Sequence, residues 1–365
     1  MLSDREEEPT AGSSRHAGSA GDGSAHRRRP TLREVASAAR VDVSTVSRAL
    51  RPETQGMVKQ ETLRRVLATA ESLGYRANPF ARGLKDQRSR IVGMLVPDLG
   101  NPLFPPIARG IEDGLRDEGY AMMLASTDQD VLREESLINI FMDRRVDGLV
   151  LATALRSYPL LDLLTKSGVP VVLVNRTIDD SPMSMVAADD HHGIGLAVKH
   201  LAGLGHTRIA FVGAAMDAST GFNRYQYFLA WMQTLGLKVD EGLVVFAPRF
   251  TKDHGAEACE ELLDRGNPFT AIVAASDMVA LGCYKALRAR DLAVPDDVSV
   301  VGYNGSRWCD EFCPPLTSVH VPKYDIGTRT ASVLLSLFDH PGAMPSNILL
   351  PTSLQVRNST RHISG

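Results

Sequence analysis

The sequence is poor in the residues from which disulfide scaffolds, metal sites and catalytic centres are built. Its 365 residues hold only four cysteines, Cys259, Cys283, Cys309 and Cys313, with no CxxC pair. That spacing excludes a disulfide-stapled fold or a zinc ribbon, and free thiols of a reducing compartment are expected. No apolar run approaches the roughly eighteen residues of a membrane span. Met1–Ala25 is rich in Ser, Gly and Glu and has no apolar stretch, so no secretory signal is expected and residues 1–29 read as a disordered tail. Enzyme signatures are also missing: there is no P-loop, no GxSxG and no HExxH. Gly193-Ile-Gly195 lacks the third glycine of a dinucleotide fingerprint, and no strand is predicted ahead of it. Asp189-Asp190-His191-His192 carries metal-capable groups, yet acids at a helix start account for it better. No cofactor, no metal and no catalytic residue are expected.

Net charge is small, −3 overall, but unevenly spread. Residues 26–90 contain 15 Lys/Arg against 6 Asp/Glu, whereas the remainder of the chain is acidic. A basic head on an acidic body is the electrostatic footprint of a domain that meets phosphates.

Within that head, residues 30–76, three helices are predicted. Thr31 and Glu34 have capping-box spacing, and Leu32, Val35, Ala36 and Ala39 share one face. A turn at Arg40-Val41 follows. Asp42 is placed to cap a second helix, Val43 to Leu50, which buries Val46 and Leu50 and exposes Ser44, Thr45, Ser47 and Arg48. A third helix from about Lys59 to Leu73 turns Leu63, Val66, Leu67 and Ala70 inward and stops at Gly74. Two short helices across a tight turn, the second rich in small polar residues and arginine, make a helix-turn-helix whose second helix enters the major groove. Arginine can grip guanine bidentately, and Ser and Thr can bond bases or phosphates.

Thr31-Leu-Arg-Glu-Val-Ala followed by Val43-Ser-Thr-Val-Ser-Arg-Ala-Leu50 resembles the opening of LacI/GalR-family repressors. Leu73-Gly-Tyr-Arg-Ala-Asn-Pro-Phe-Ala-Arg-Gly-Leu84 resembles that family's linker and hinge helix, here residues 77–90, and the likeness runs to about residue 360. It implies operator DNA as partner, with Val43, Ser44 and Arg48 reading bases. Asn78 to Leu84 would form a helix only on DNA, Leu84 would wedge between base steps, and Ala81 and Arg82 would line the minor groove. Thr31, Thr45, Ser47, Lys59 and Tyr75 complete the implied DNA-facing set. The sequence departs from the family at the turn, where Arg40 replaces the usual Gly; a positive φ there costs roughly 1–2 kcal/mol. The connection Arg51–Met57 is about two residues longer than usual, and helix three opens with Lys59 instead of Ser or Thr.

From 91 to 360 short apolar runs alternate with amphipathic helices. Strands are predicted at 91–96, 120–125, 148–151, 169–174, 208–212, 243–246, 271–275, 298–302 and 348–356. Such alternation means parallel sheets covered on both faces. Two successive sets, divided near 187–205, predict an α/β core of two similar subdomains, of the periplasmic-binding-protein type. Ligands of such sheets bind beyond the carboxyl ends of the strands, in a cleft able to close by a hinge. The candidate effector residues are therefore Asp98, Asn101, Phe104, Asp128, Arg176, Arg224, Phe250, Asp277 and Asn304. The resemblance implies a gripping role for Arg224, stacking for Phe250 and hydroxyl binding for Asp277. Asn304 departs from the usual Asp of Gly-Tyr/Phe-Asp, which alters what is recognised there.

The expected function is a cytoplasmic, nucleoid-associated transcription regulator, a repressor by type, controlled by a sugar-like small molecule. It is expected to be a homodimer, since no leucine heptad follows the last strand. The alternative is a periplasmic-type sugar-binding protein without a DNA role, which would share the core and lack the basic head.

Overall fold

The computed structural model describes residues 30–75 and 88–363, and the chain divides into two compact units, Met1–Ala81 and Arg82–Gly365. The expectations for the tail and for most of the hinge segment lie outside the described residues.

The head is three helices: α1 (Leu32–Ala39), α2 (Val43–Ala49) and α3 (Gln60–Ser72). Their shared core is built from Val35, Ala36, Ala39, Val46, Ala49, Val66 and Ala70, with Leu32, Val41, Leu50, Leu63 and Tyr75 packed on its margin. Small alanines at four of those seven positions allow the close approach that short helices need to exclude water from so little apolar surface. Leu67, expected inward, is instead exposed on α3. It lies one residue past Val66, which takes the buried position.

The larger unit contains two six-stranded sheets. The strands are β1 (Ile91–Val96), β2 (Ala121–Ser126), β3 (Gly148–Leu151), β4 (Val171–Val174), β5 (Ser184–Ala188), β6 (Ile209–Ala214), β7 (Val244–Ala247), β8 (Ala271–Ala274), β9 (Ser299–Asn304), β10 (Thr317–His320), β11 (Asn347–Leu350) and β12 (Ser353–Gln355). The first sheet has the order β11-β5-β4-β3-β1-β2 and the second β12-β10-β9-β8-β6-β7. Every pairing is parallel except β10 with β12. The helices are α4 (Phe104–Arg116), α5 (Val131–Asp143), α6 (Leu161–Ser167), α7 (Asp190–Gly203), α8 (Ser219–Thr234), α9 (Lys252–Asp264), α10 (Asp277–Ala289) and α11 (Lys323–Asp339).

Strand alternation decides which layer each residue joins. On β1, Val92, Met94 and Val96 join one apolar layer with Ile107 and Ile111 of α4 and Leu334 of α11. Leu95 points the other way, with Ile138 and Phe141 of α5 and Leu164 of α6. In the second sheet, Phe211 and Val273 pack with Phe228 of α8, while Val212, Ile272 and Val300 pack with Leu262 of α9 and Leu287 of α10.

The chain passes between the sheets three times, after β5, after β10 and between β11 and β12. The single last strand expected at 348–356 is thus two strands in different sheets, separated at Pro351-Thr352. Two strands went unpredicted. β10 mixes polar and apolar residues, and β5 is a run of small ones. β5 also supplies the strand thought missing ahead of Gly193-Ile-Gly195, yet no phosphate cradle results. A side chain at Gly193 would collide with the Tyr303 hydroxyl, 2.3 Å away, and one at Gly195 with the Trp231 indole at 2.5 Å. These glycines serve helix packing.

Candidate DNA-reading helix and effector cleft

The geometry of α2 is set from both ends. At α1, Thr31 accepts from the Glu34 amide while the Glu34 carboxylate accepts from the Thr31 amide, closing the capping box. Arg40 then takes φ 52° and ψ 50°. The turn accepts this left-handed conformation in a residue with a Cβ, and its amides close on Ser37 and Ala36 carbonyls. The Nε of Arg65 on α3 donates to the Ala39 carbonyl at 3.1 Å, fixing the same corner from outside.

Asp42 caps α2 by accepting from the Ser44 amide at 2.8 Å, and the Ser44 hydroxyl, together with that amide, holds its carboxyl below the usual range. At the other end, the Thr54 hydroxyl donates to the Arg48 carbonyl and the Gln55 amide group to the Ala49 carbonyl. The longer connection after α2 therefore supplies side-chain caps for that helix's orphan carbonyls. Between these ends Val43, Ser44 and Arg48 are exposed, Thr45 and Ser47 half-exposed. The Arg48 guanidinium reaches back to the Ser44 hydroxyl at 3.1 Å. Lys59 precedes α3 without a side-chain cap and is exposed. Tyr75 packs half-buried against the head core. Asn78, Ala81, Arg82 and Leu84 lie outside the described residues.

In the larger unit the two subdomains meet across a cleft with an inner cavity of about 180 Å³. Pro97, Thr127, Gln129, Glu134, Thr153 and Arg176 line it from the first subdomain; Ala215, Asp217 and Arg249 line it from the second. Arg176 is buried, and burial pulls its guanidinium down to about 10 against the opposing pull of Asp217 and Glu134. Among the described residues its guanidinium makes one hydrogen bond, a long contact of 3.5 Å to the Thr153 carbonyl, and the residue lines the cavity. Glu134 is buried beside it and accepts from the Thr153 and Tyr158 hydroxyls; burial raises its carboxyl. Hydroxyl groups, an acid and an arginine around a small space suit a ligand carrying hydroxyls.

The other sequence-nominated residues have varied places. Arg224 is buried, donates to Asp190 at 3.1 Å and to the Ala275 carbonyl at 2.8 Å, and lies 3.9 Å from the Tyr303 ring. The Tyr303 hydroxyl donates to the same Asp190 oxygen. The Asp189-Asp190 pair is thus a helix start, Asp189 capping α7 and Asp190 neutralising Arg224. Asn304 has φ 107°, is buried, and its Oδ1 lacks a partner. Phe250 is half-buried between the two apolar layers of the second subdomain, and Phe104 is buried in the first. Asp98 and Asn101 brace the turn into α4 by accepting from Gly100 and Leu103 amides.

Two expectations need correction. Asp128 is exposed, bonded to Ser126 and ion-paired with Arg133; of the nine nominated effector residues only Arg176 lines this cavity, and none lines the outer one described next. Asp277 faces inward: its carboxylate accepts from the Ser306 amide at 2.6 Å and from the Ser318 hydroxyl, and burial raises it. Helix α10 begins at this residue, so its side chain folds back onto the β9–β10 end of the sheet instead of into the cleft. A second, outer cavity of about 620 Å³ is lined by Leu99, Pro102, Pro105, Arg307, Trp308, His320 and Arg357 among others. Sequence reasoning missed Glu134, Thr153 and Asp217; Glu134 sits on a helix rich in charge that reads as solvated.

Residues 31–78 match the family described as bacterial regulatory proteins, lacI family, and residues 198–360 match the periplasmic binding protein-like domain. The HTH-type transcriptional regulator DegA of Bacillus subtilis is 31% identical over 90% of this chain and 98% of its own length. The regulator CelR of Thermobifida fusca is 34% identical over 91% of the chain and 99% of its own. The chain belongs to the LacI family. It is a DNA-binding transcriptional regulator and not an enzyme, and the alternative of a binding protein without a DNA role falls with the family match of the head. Among solved structures, a complex of the regulator CelR with cellobiose is 32% identical, covers 91% of this chain and superposes with a TM-score of 0.70. The lac repressor dimer bound to operator has a TM-score of 0.81 at 24% identity, a likeness of fold.

Proposed function

We propose that this LacI-family regulator acts as a homodimeric repressor. Each α2 reads one half-site of a near-palindromic operator, and a sugar or related polyol held in the inner cavity sets the affinity. The observation that carries the DNA half of this reading is the state of α2: capped at both ends by its neighbours, yet with Val43, Ser44 and Arg48 exposed along one helix. A helix whose ends are satisfied and whose short polar side chains face solvent, bonded only to their neighbours on the helix, is ready to enter the major groove. Arg48 and Ser44 supply base contacts, and Thr31, Thr45, Ser47, Lys59 and Tyr75 hold phosphates or the register of the head. Asn78, Ala81, Arg82 and Leu84 act in the minor groove when DNA is present. Two-fold symmetry of the protein mirrors two-fold symmetry of the operator.

The ligand half rests on the cavity. Arg176 and the hydroxyl-rich wall around Glu134 and Thr153 would recognise a polyol. A solved relative bound to ribose and another bound to cellobiose support the same chemistry. Asn304, with an unpartnered side-chain oxygen, would take a hydroxyl donor, although Asn304, Arg224 and Phe250 all lie outside the lining of the inner cavity. Location in the bacterial cytoplasm follows from the DNA partner.

Fluorescence anisotropy of a labelled duplex from upstream of the gene, across a salt series, tests the DNA half. The expected result is saturable binding, tighter than to scrambled DNA, with a steep negative salt slope. Equal binding to scrambled DNA in every upstream fragment would overturn it.

A further inference from the structure

The chain that comes from the head enters the core at a built anchor. Arg88, Ser89 and Arg90 are the described residues that precede β1. The Asp147 carboxylate holds two of them. Its Oδ1 accepts from the Ser89 amide at 2.8 Å and from the Ser89 hydroxyl at 3.2 Å, and its Oδ2 accepts from the Arg90 amide at 2.8 Å. Bonds of a carboxylate to backbone amides are among the strong ones. Arg90 takes φ 58°, and its guanidinium donates to the Glu118 carbonyl at 2.7 Å and lies 5.1 Å from the centre of the Tyr120 ring. Arg88 donates at 2.9 Å to the Phe338 carbonyl, in the last turn of α11. A helix leaves such carbonyls unpaired, and a cation is favoured beside them. Tyr120 and Phe338 are both buried and stack on each other, ring centres 5.1 Å apart. Three consecutive residues are thus tied to a carboxylate, a loop carbonyl and a helix end.

The anchor stands at one end of elements whose other end is the cleft. Arg90 directly precedes β1 and Asp147 directly precedes β3, and these two strands pair in parallel. Past their carboxyl ends lie Pro97 and Thr153, both lining the inner cavity. Helix α11 runs for 17 residues, about 25 Å, from just after the passage out of the second sheet to its end beside Arg88. Neither Asp147 nor Arg88 lines the cavity or belongs to the DNA-facing set.

We propose that Asp147 and Arg88 are positioning residues for operator binding: they fix the point at which the chain to the reading head leaves the core. Two heads are then delivered to paired half-sites from defined points, and a rearrangement at the cavity is passed to them. The inference rests on the reading of the chain as a sugar-controlled dimeric repressor. Freeing residues 88–90 lengthens the tether and lowers the concentration of the second head at its half-site once the first is bound. It also lets a movement of the core be taken up in slack chain.

Asp147→Ala, Arg88→Ala and Arg88→Lys are compared with wild type in the full-length chain, with the tryptophan unfolding midpoint as the check on the core. Anisotropy is read on the upstream duplex that wild type prefers, intact and with one half-site scrambled. It is read again on the intact duplex with an excess of ribose, glucose or cellobiose. Both alanine variants are expected to lose at least about threefold of the preference for the intact duplex. They are also expected to shrink the factor by which sugar moves operator affinity by roughly 2- to 30-fold. The affinity of that sugar for the free protein, read by calorimetry, stays at the wild-type value. Arg88→Lys still donates to the Phe338 carbonyl and is expected to match wild type. Asp147→Ala removes a negative charge and Arg88→Ala a positive one, so a shared loss is not an effect of charge on DNA. Wild-type preference and wild-type sugar response in the alanine variants overturn the proposal, as does loss in one folded variant and not in the other. Should Asp147→Ala lower the midpoint, Arg88→Ala against Arg88→Lys decides. A wild type with no preference for the intact duplex contradicts the dimeric reading, and one that no sugar affects contradicts the ligand reading; in either case the other readout decides the anchor. Failure of both removes the proposal together with the function it rests on.

Discussion

The head and the core hold their functional side chains in opposite ways. On α2 the reading residues are exposed and nearly free, Arg48 bonded only to Ser44 four residues before it. In the core the charged groups are buried: Arg224 is committed to Asp190 and Tyr303, Asp277 to Ser306 and Ser318, and Arg176, which lines the cavity, keeps only a long contact to Thr153. DNA supplies partners to an exposed surface. A small ligand must instead enter a buried space whose charged groups are held by, or next to, bonds the protein already makes, and a site of that kind can switch. Truncating a reading residue should therefore change affinity alone, whereas truncating a cleft residue should change folding as well.

The largest effect should come from Arg224→Ala. It leaves the half-buried Asp190 without its cation, and a loss approaching the about 3–5 kcal/mol of a broken buried pair is expected. Both tryptophans, Trp231 and Trp308, lie in the core, so their fluorescence during denaturant unfolding reads this loss directly. A wild-type midpoint would mean that the buried network is not what holds this part of the cleft. Next, Arg48→Ala should weaken binding to the preferred duplex by about 1–3 kcal/mol and to scrambled DNA much less, with the tryptophan midpoint unchanged. Equal loss on both duplexes would remove Arg48 from base reading. Thr31→Ala breaks the capping box and should cost the head about 1 kcal/mol, seen in helical circular dichroism and not in tryptophan fluorescence.

The smallest effect is a pH dependence confined to one region. Residues 30–75 contain no histidine. In the core, burial lowers His200, His206 and His320 below the ordinary value of 6.5. Their folded forms resist protonation, so the unfolded chain binds more protons as pH falls through 6.5. Core stability is then fully present above that value and is lost progressively as pH drops towards the lowered folded values. Between pH 7.5 and 5.5 the tryptophan midpoint should fall while the signal assigned to the head stays level. A parallel decline in both would point to a shared cause outside these histidines.

The same contrast explains what could be read in advance. Head structure is local: Thr31 with Glu34, Asp42 with Ser44, and an apolar face at helical spacing all lie within a few residues, so the caps and the three helices were legible. Even the strained turn at Arg40 announced itself through a missing glycine. The alternation of the core was legible for the same reason, from β1 through β9. β5 escaped because Ser184–Ala188 is short and made largely of small residues. The change of sheet at Pro351-Thr352 escaped because one apolar run covers two strands. The cleft was legible only by position after strand ends. That rule found Arg176, but it could not show that Asp277 turns inward, that Asp128 pairs with Arg133, or that Glu134 is buried beneath Thr153 and Tyr158. For Asp277 and Glu134 those facts depend on partners 19 to 41 residues away in sequence; the Asp128–Arg133 pair is local, five residues apart, but a strand-end position gives no sign of it.

The central claim is that cavity and reading helix share one equilibrium. It is tested most directly by measuring operator affinity by anisotropy with and without a saturating concentration of a sugar that binds, and the affinity of that sugar with and without operator. A linked system predicts that both affinities change by the same factor, in the same direction. Operator affinity unmoved by saturating sugar would contradict it.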